Sequence, residues 1–136
     1  MSHDVFAQAI VHANSWVGAV ADELDADEDR GYRALRATLH VLRDRLTVEG
    51  AAHLSAQFPL VIRGTFYEGW DPSAVPQKMH TDEFLDRVRS EANLQSADEA
   101  HHAVRAVMSV MWEHLTPGAL AHVTAQLPAD LQALIS

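Results

Sequence analysis

Leu46-Thr47, followed by Ala52-His53-Leu54-Ser55-Ala56-Gln57-Phe58-Pro59, recurs 69 positions later as Leu115-Thr116 and Ala121-His122-Val123-Thr124-Ala125-Gln126-Leu127-Pro128. The correspondence extends upstream without a gap. Ala34, Arg36, Ala37 and Val41 return as Ala103, Arg105, Ala106 and Val110, while Leu35, Leu39 and Leu42 become Val104, Met108 and Met111. Residues 33–66 and 102–135 share eleven identities, where average residue usage would supply roughly two. Self-similarity at a fixed offset marks a duplicated supersecondary unit.

The unit is helical. Leu35, Leu39, Leu42 and Leu46 fall at i, i+4, i+7 and i+11, as do Val104, Met108, Met111 and Leu115, so each set forms one apolar stripe along a helix. Thr47 and Thr116 stand where a hydroxyl accepts a backbone N–H of a following short helix, and Pro117 supplies the φ suited to its first position. Ser96 and Glu99 have capping-box spacing, and Asp27 stands ready to cap its helix alone. Pro59 and Pro128 can open a helix but not continue one, which predicts a last short helix from Pro59 to about Phe66 and its equivalent after Pro128.

Each copy also has a lead helix. Phe6, Ile10, Ala13, Val17, Val20 and Leu24 predict a long amphipathic helix over residues 3–24. Thr81-Asp82-Glu83 begins a shorter one, with Phe84 or Leu85, Val88 and Ala92 on its buried side. No stretch alternates as a strand would. The expected fold is all-α: one compact bundle of six to eight helices over residues 1–136, made of two pseudo-twofold-related repeats at about 1–66 and 81–136, joined by residues 67–80.

Composition restricts the function. A net charge of −9 repels phosphate backbones and argues against a nucleic-acid partner. No apolar run is long enough for a membrane span, and Met1-Ser2-His3-Asp4 lacks a basic leader, so a cytoplasmic location is expected. With no cysteine there is neither a disulfide nor a thiolate nucleophile, which suits a reducing compartment. Nine of the ten basic residues are arginine, Lys78 being the exception.

The joining segment, Tyr67-Glu68-Gly69-Trp70-Asp71-Pro72 through Pro76 to His80, has no counterpart in the second half. Loops of this length in a small domain are often functional. Tyr67 and Trp70 could anchor a partner, or Trp70 could pin the connection to the bundle. The pattern Tyr32 to Arg45, Ala52 to Pro59, Arg63-Gly64-Thr65-Phe66-Tyr67-Glu68-Gly69-Trp70-Asp71-Pro72, Glu83-Phe84-Leu85 and Ala125-Gln126-Leu127-Pro128 resembles the bacterial DUF2267 family over nearly the whole chain. The resemblance implies a small helical bacterial protein and brings no catalytic residues with it.

Candidate chemistry is sparse. His53 and His122 occupy equivalent positions and are weak metal-ligand candidates; alternatively each ring bonds a backbone group in its turn. Glu99 and His102 have the spacing of one half of a dinuclear carboxylate site, but their counterparts are the cations Arg30 and Arg33. Arg30, Arg33, Arg36, His40 and Arg43 form a polar strip, either a docking surface for an anion or partner, or a solvated helix face with acidic residues at its N-terminal end. Arg36 is repeated by Arg105. Trp112 lies off the apolar stripe, either under a neighbouring helix or exposed as a contact residue. No serine elbow or phosphate loop is present. The expectation is a protein without catalytic activity or cofactor, acting as a protein-interaction or scaffold module whose partner is another protein or a second copy in a homodimer. The alternative is a small-ligand or metal-binding protein with a groove between the repeats.

Overall fold

A computed structural model describes residues 5–136. Among these are eight α-helices and no strand: α1 (Ala7–Leu24), α2 (Glu28–Arg45), α3 (Val48–Ser55), α4 (Leu60–Tyr67), α5 (Thr81–Glu91), α6 (Ala97–His114), α7 (Pro117–Ala125) and α8 (Ala129–Ile135). A single 3-10 turn, Pro72–Ala74, interrupts the connection between α4 and α5.

The boundaries follow local chemistry. Asp27 accepts the Arg30 N–H, Ser96 that of Glu99, Thr47 that of Gly50 and Thr116 that of Ala119, so α2, α6, α3 and α7 each begin on a side-chain cap. Glu28 and Asp29, and likewise Asp98 and Glu99, place negative charge in the first turns of α2 and α6, where the helix dipole favours it. Pro59 and Pro128 stand just before α4 and α8. The expected capping box is modified, because the Glu99 carboxylate accepts from the Gln95 N–H at 2.8 Å.

The 18-residue helices α2 and α6 pack on each other at the centre. α1 lies across α2, α4 and α6, α5 lies across α2, α6 and α8, and α3 packs on α7. Both apolar stripes are buried along their whole length, from Leu35 to Leu46 and from Val104 to Leu115. Each buried Leu or Met contributes roughly 1.5–3 kcal/mol by leaving water. The space between the two long helices is therefore filled by side chains.

The first helix departs from expectation. Of its expected span, residues 3 and 4 lie outside the described residues, Val5 and Phe6 form a turn and the helix begins at Ala7; its buried face comprises Ala13, Trp16, Val20 and Ala21. Phe6 and Ile10 are 62% and 50% exposed, and Val17 and Leu24 are only partly buried. The reason is position. Trp16 packs on Phe58 and on His114, the last residue of α6, so the turns before Ala13 extend past the end of their partner helix. The second lead helix agrees better, with Phe84, Val88 and Ala92 buried.

Candidate functional site

The two matching turns meet. The Gln57 amide donates from Nε2 to Thr116 Oγ1 at 3.2 Å, and its Oε1 accepts the Thr116 N–H at 3.2 Å. Gln126 in turn accepts from Thr47 Oγ1 at 3.2 Å. Each glutamine thus engages the threonine that caps the other half's short helix. Beside these contacts the exposed rings of His53 and His122 lie against each other, centroids 4.1 Å apart and planes tilted by 36°. Instead of each bonding its own turn, the imidazoles pair across the α3–α7 contact. No group of three or more His, Asp or Glu side chains suited to a metal is found among the described residues.

The partly exposed arginines of the strip are paired within the molecule. Arg30 donates to Glu99 at 2.6 Å, joining the two residues that the sequence pattern set in opposition. That guanidinium, with the Gln95 N–H, holds the Glu99 carboxyl below its ordinary pKa. Arg33 pairs with Asp29 at 3.0 Å and donates to the Ala92 carbonyl at the end of α5. Arg36 binds Glu68 at 2.6 Å and lowers its pKa. His40 and Arg43 are buried, so they belong to the interior and not to a solvated face.

Arg43 organises the end of α4. Its Nη1 donates to the Phe66 and Glu68 carbonyls at 3.0 and 2.8 Å, and its Nε pairs with Asp44 at 2.9 Å. Asp44 also accepts from Arg87 of α5 at 2.8 Å, and its carbonyl accepts the Gln77 N–H at 2.7 Å. Neighbouring charges in one helix give no sequence signal for this buried cluster, because periodicity alone places them on a polar face. Its partners on α5 and the connection become visible only after folding. Trp16 is absent from the expected stripe although it stands three residues after Ala13 and four before Val20, on the same helical face, so its spacing did carry a signal.

Tyr67 and Trp70 face inward. The Tyr67 hydroxyl hydrogen-bonds Ser55 Oγ at 2.6 Å, its ring meets Trp70 with centroids 5.0 Å apart, and both rings pack against the core. The geometry is that of a connection held to the bundle by aromatic contact.

Trp112 presents the opposite picture. At 41% exposure it is a large apolar side chain left in contact with water, anchored by a 3.1 Å bond from Nε1 to the Ile135 carbonyl. It borders a groove of about 580 Å³ with Ala121, Thr124, Ala125, Gln132 and Ser136. A second concavity of about 390 Å³ is lined by Arg45, Lys78, Met79, His80, Glu83 and Pro128. Arg105 lies beside the groove's end, donating from Nη1 to the Leu134 carbonyl at 2.9 Å and to the Ser136 carbonyl. The groove is open to solvent, and at its edge the Thr124 hydroxyl donates to the Leu120 carbonyl while Gln132 Nε2 donates to the Thr124 and Leu127 carbonyls.

Comparison with known proteins supplies a family. The profile described as "Uncharacterized conserved protein (DUF2267)" matches residues 13–134. No curated protein matches the chain. Among the described residues, no helix is long and apolar enough to cross a membrane.

Proposed function

The chain belongs to the DUF2267 family, and we propose that it acts as a non-catalytic, cytoplasmic protein-interaction or scaffold module that receives its partner on the groove at Trp112. Trp112 carries this proposal. Exposed indole rings bordering a concave apolar surface are favoured anchors of protein contacts, because they bury a large area at small entropic cost. The filled interior supports the same conclusion: Leu39, Leu42, Met108 and Met111 are buried between the repeats, which leaves recognition to the surface. The matching halves, whose caps and glutamines exchange equivalent contacts, favour a pseudo-twofold scaffold with function at the positions where the halves differ.

A photo-crosslinking residue placed at Trp112 in the source cells should capture one protein reproducibly, while the same residue at the exposed Gln8 should not. Trp112→Ala should abolish co-purification of that protein without lowering the melting temperature by more than a few degrees. Equal capture from both positions would overturn the proposal.

A second function is favoured by the His53–His122 pair, whose rings stand close enough that side-chain rotation would let both reach one transition-metal ion. Purified protein retaining stoichiometric zinc, nickel or copper, and losing it in His53→Ala with His122→Ala, would replace the interaction module with a metal-binding one.

A further inference from the structure

The ten cationic side chains are unequally provided for. Arg30, Arg33, Arg36, Arg43, Arg87 and Arg89 form ion pairs with carboxylates of the chain. Arg63 donates to the Ser55, Ala56 and Phe58 carbonyls, and Arg105 to those of Leu134 and Ser136. Among the described residues, neither Arg45 nor Lys78 has an ion pair or a hydrogen bond. The chain carries 19 acidic residues, yet the two cations left without one line the same concavity of about 390 Å³. Backbone contacts bring them there. The Gln77 N–H donates to the Asp44 carbonyl at 2.7 Å and its Oε1 accepts from Arg87 at 3.0 Å, which ties the connection to the end of α2 just where Lys78 and Arg45 follow. Met79, 7% exposed, fixes the next residue in the core. The Arg45 Nε is closed off from water and meets no acceptor, a condition that native proteins seldom leave uncompensated.

We infer that this concavity binds a small organic phosphate, its phosphate group held by Arg45 and Lys78 and its hydroxyl groups directed at Glu83. A doubly charged phosphate matches two adjacent cations, and a guanidinium can offer it two parallel donors. Glu83 sets the character of the remainder. Its carboxylate accepts the His80 N–H only at 3.5 Å, so it has lone pairs to take hydroxyl hydrogens, while its charge disfavours an ion that is negative on every side. Met79 and Pro128 supply apolar surface for a short carbon chain. The second carboxylate nearby is engaged: Asp130 Oδ2 accepts from the Thr81 N–H and Oγ1 at 3.0 and 3.1 Å and lies 3.4 Å from His80 Nδ1. The volume falls in the range of roughly 300–1,000 Å³ usual for small-molecule pockets. The net charge of −9 does not prevent binding, because exposed charges more than about 8 Å away are largely screened at physiological salt and the local pair governs.

The test titrates the full chain, labelled with nitrogen-15 and held at constant ionic strength, with glycerol 3-phosphate, inorganic phosphate and glycerol. The Arg45 Nε–H resonance, assigned by its loss in Arg45→Lys, should shift saturably with glycerol 3-phosphate together with the Lys78 amide. Inorganic phosphate should bind more weakly and glycerol not at all. Arg45→Gln and Lys78→Gln should each weaken glycerol 3-phosphate at least about tenfold, a change of 1.4 kcal/mol, as read from the Met79 and His80 amides. Lys78→Arg should retain most of the affinity. Arg89→Gln removes the same charge from the Asp86 pair and should leave binding unchanged, which separates a local site from the overall field. Glu83→Ala should narrow the preference for glycerol 3-phosphate over inorganic phosphate. Melting curves of Lys78→Gln and Glu83→Ala, both at exposed positions, should match that of the parent. No saturable shift at millimolar glycerol 3-phosphate, undiminished binding by Lys78→Gln, or inorganic phosphate binding as tightly as the ester would overturn the inference.

Discussion

His40 illustrates how burial changes a residue that the helical pattern assigned to the surface. It is buried beside α4, and its Nε2 lies 2.6 Å from the Thr65 carbonyl. A carbonyl only accepts, so Nε2 carries hydrogen. Desolvation is the main force lowering the His40 pKa; the Thr65 carbonyl opposes it, while the charges of Arg43 and Arg36 add to it and Glu91 opposes it. The folded state therefore resists protonation more than the unfolded chain, whose histidines titrate near pH 6.5. Below that pH the unfolded state binds the extra proton, and stability falls until the folded state also protonates. His40→Gln should flatten this slope: its urea midpoint should change less between pH 7.5 and 5.5 than that of the parent. An unchanged difference would show that other groups control acid sensitivity. The neighbouring Arg43–Asp44–Arg87 cluster belongs to the same scale, since removing one partner of a buried ion pair leaves a desolvated charge behind.

Between elements, α1 and α2 are brought together at Gly31. A Cβ built there would lie 2.8 Å from both the Ala21 Cβ and the Val17 carbonyl oxygen. Neither neighbour is the free end of a flexible chain. Alanine in place of glycine would gain about 0.8–1 kcal/mol of helix propensity, but the collision with backbone forces the helices apart. Gly31→Ala is expected to destabilise the protein by about 1–3 kcal/mol, the usual range for overpacking, as measured by chemical denaturation. A stabilised variant would mean that α1 shifts freely on α2. Gly50 is a milder case, because the atoms met there belong to the Gln126 side chain. The same distinction between patterned and positional effects explains α1: an apolar stripe continued through Phe6 and Ile10, but burial begins at Ala13 because the companion helix ends.

At the scale of the whole molecule, α2 and α6 form a shared centre, and each lead helix packs on the long helix of the opposite half. Neither half owns its core. Fragments 1–66 and 67–136, made separately, should each lack a cooperative thermal transition by circular dichroism, and an equimolar mixture should recover one; a sharp transition in either alone would contradict this. The sequence by itself determined the helical class, the long-helix stripes, the threonine caps and the proline boundaries, because these depend on interactions within a few residues. It also carried the recurrence that matches Arg36 to Arg105 and His53 to His122. Tertiary structure decided the rest. It paired Arg30 with Glu99, brought His53 against His122, buried His40 and Arg43, turned Tyr67 and Trp70 inward, and left Trp112 open to water. Those outcomes depend on which distant surface arrives to cover a side chain, and helical periodicity specifies a face without specifying what meets it.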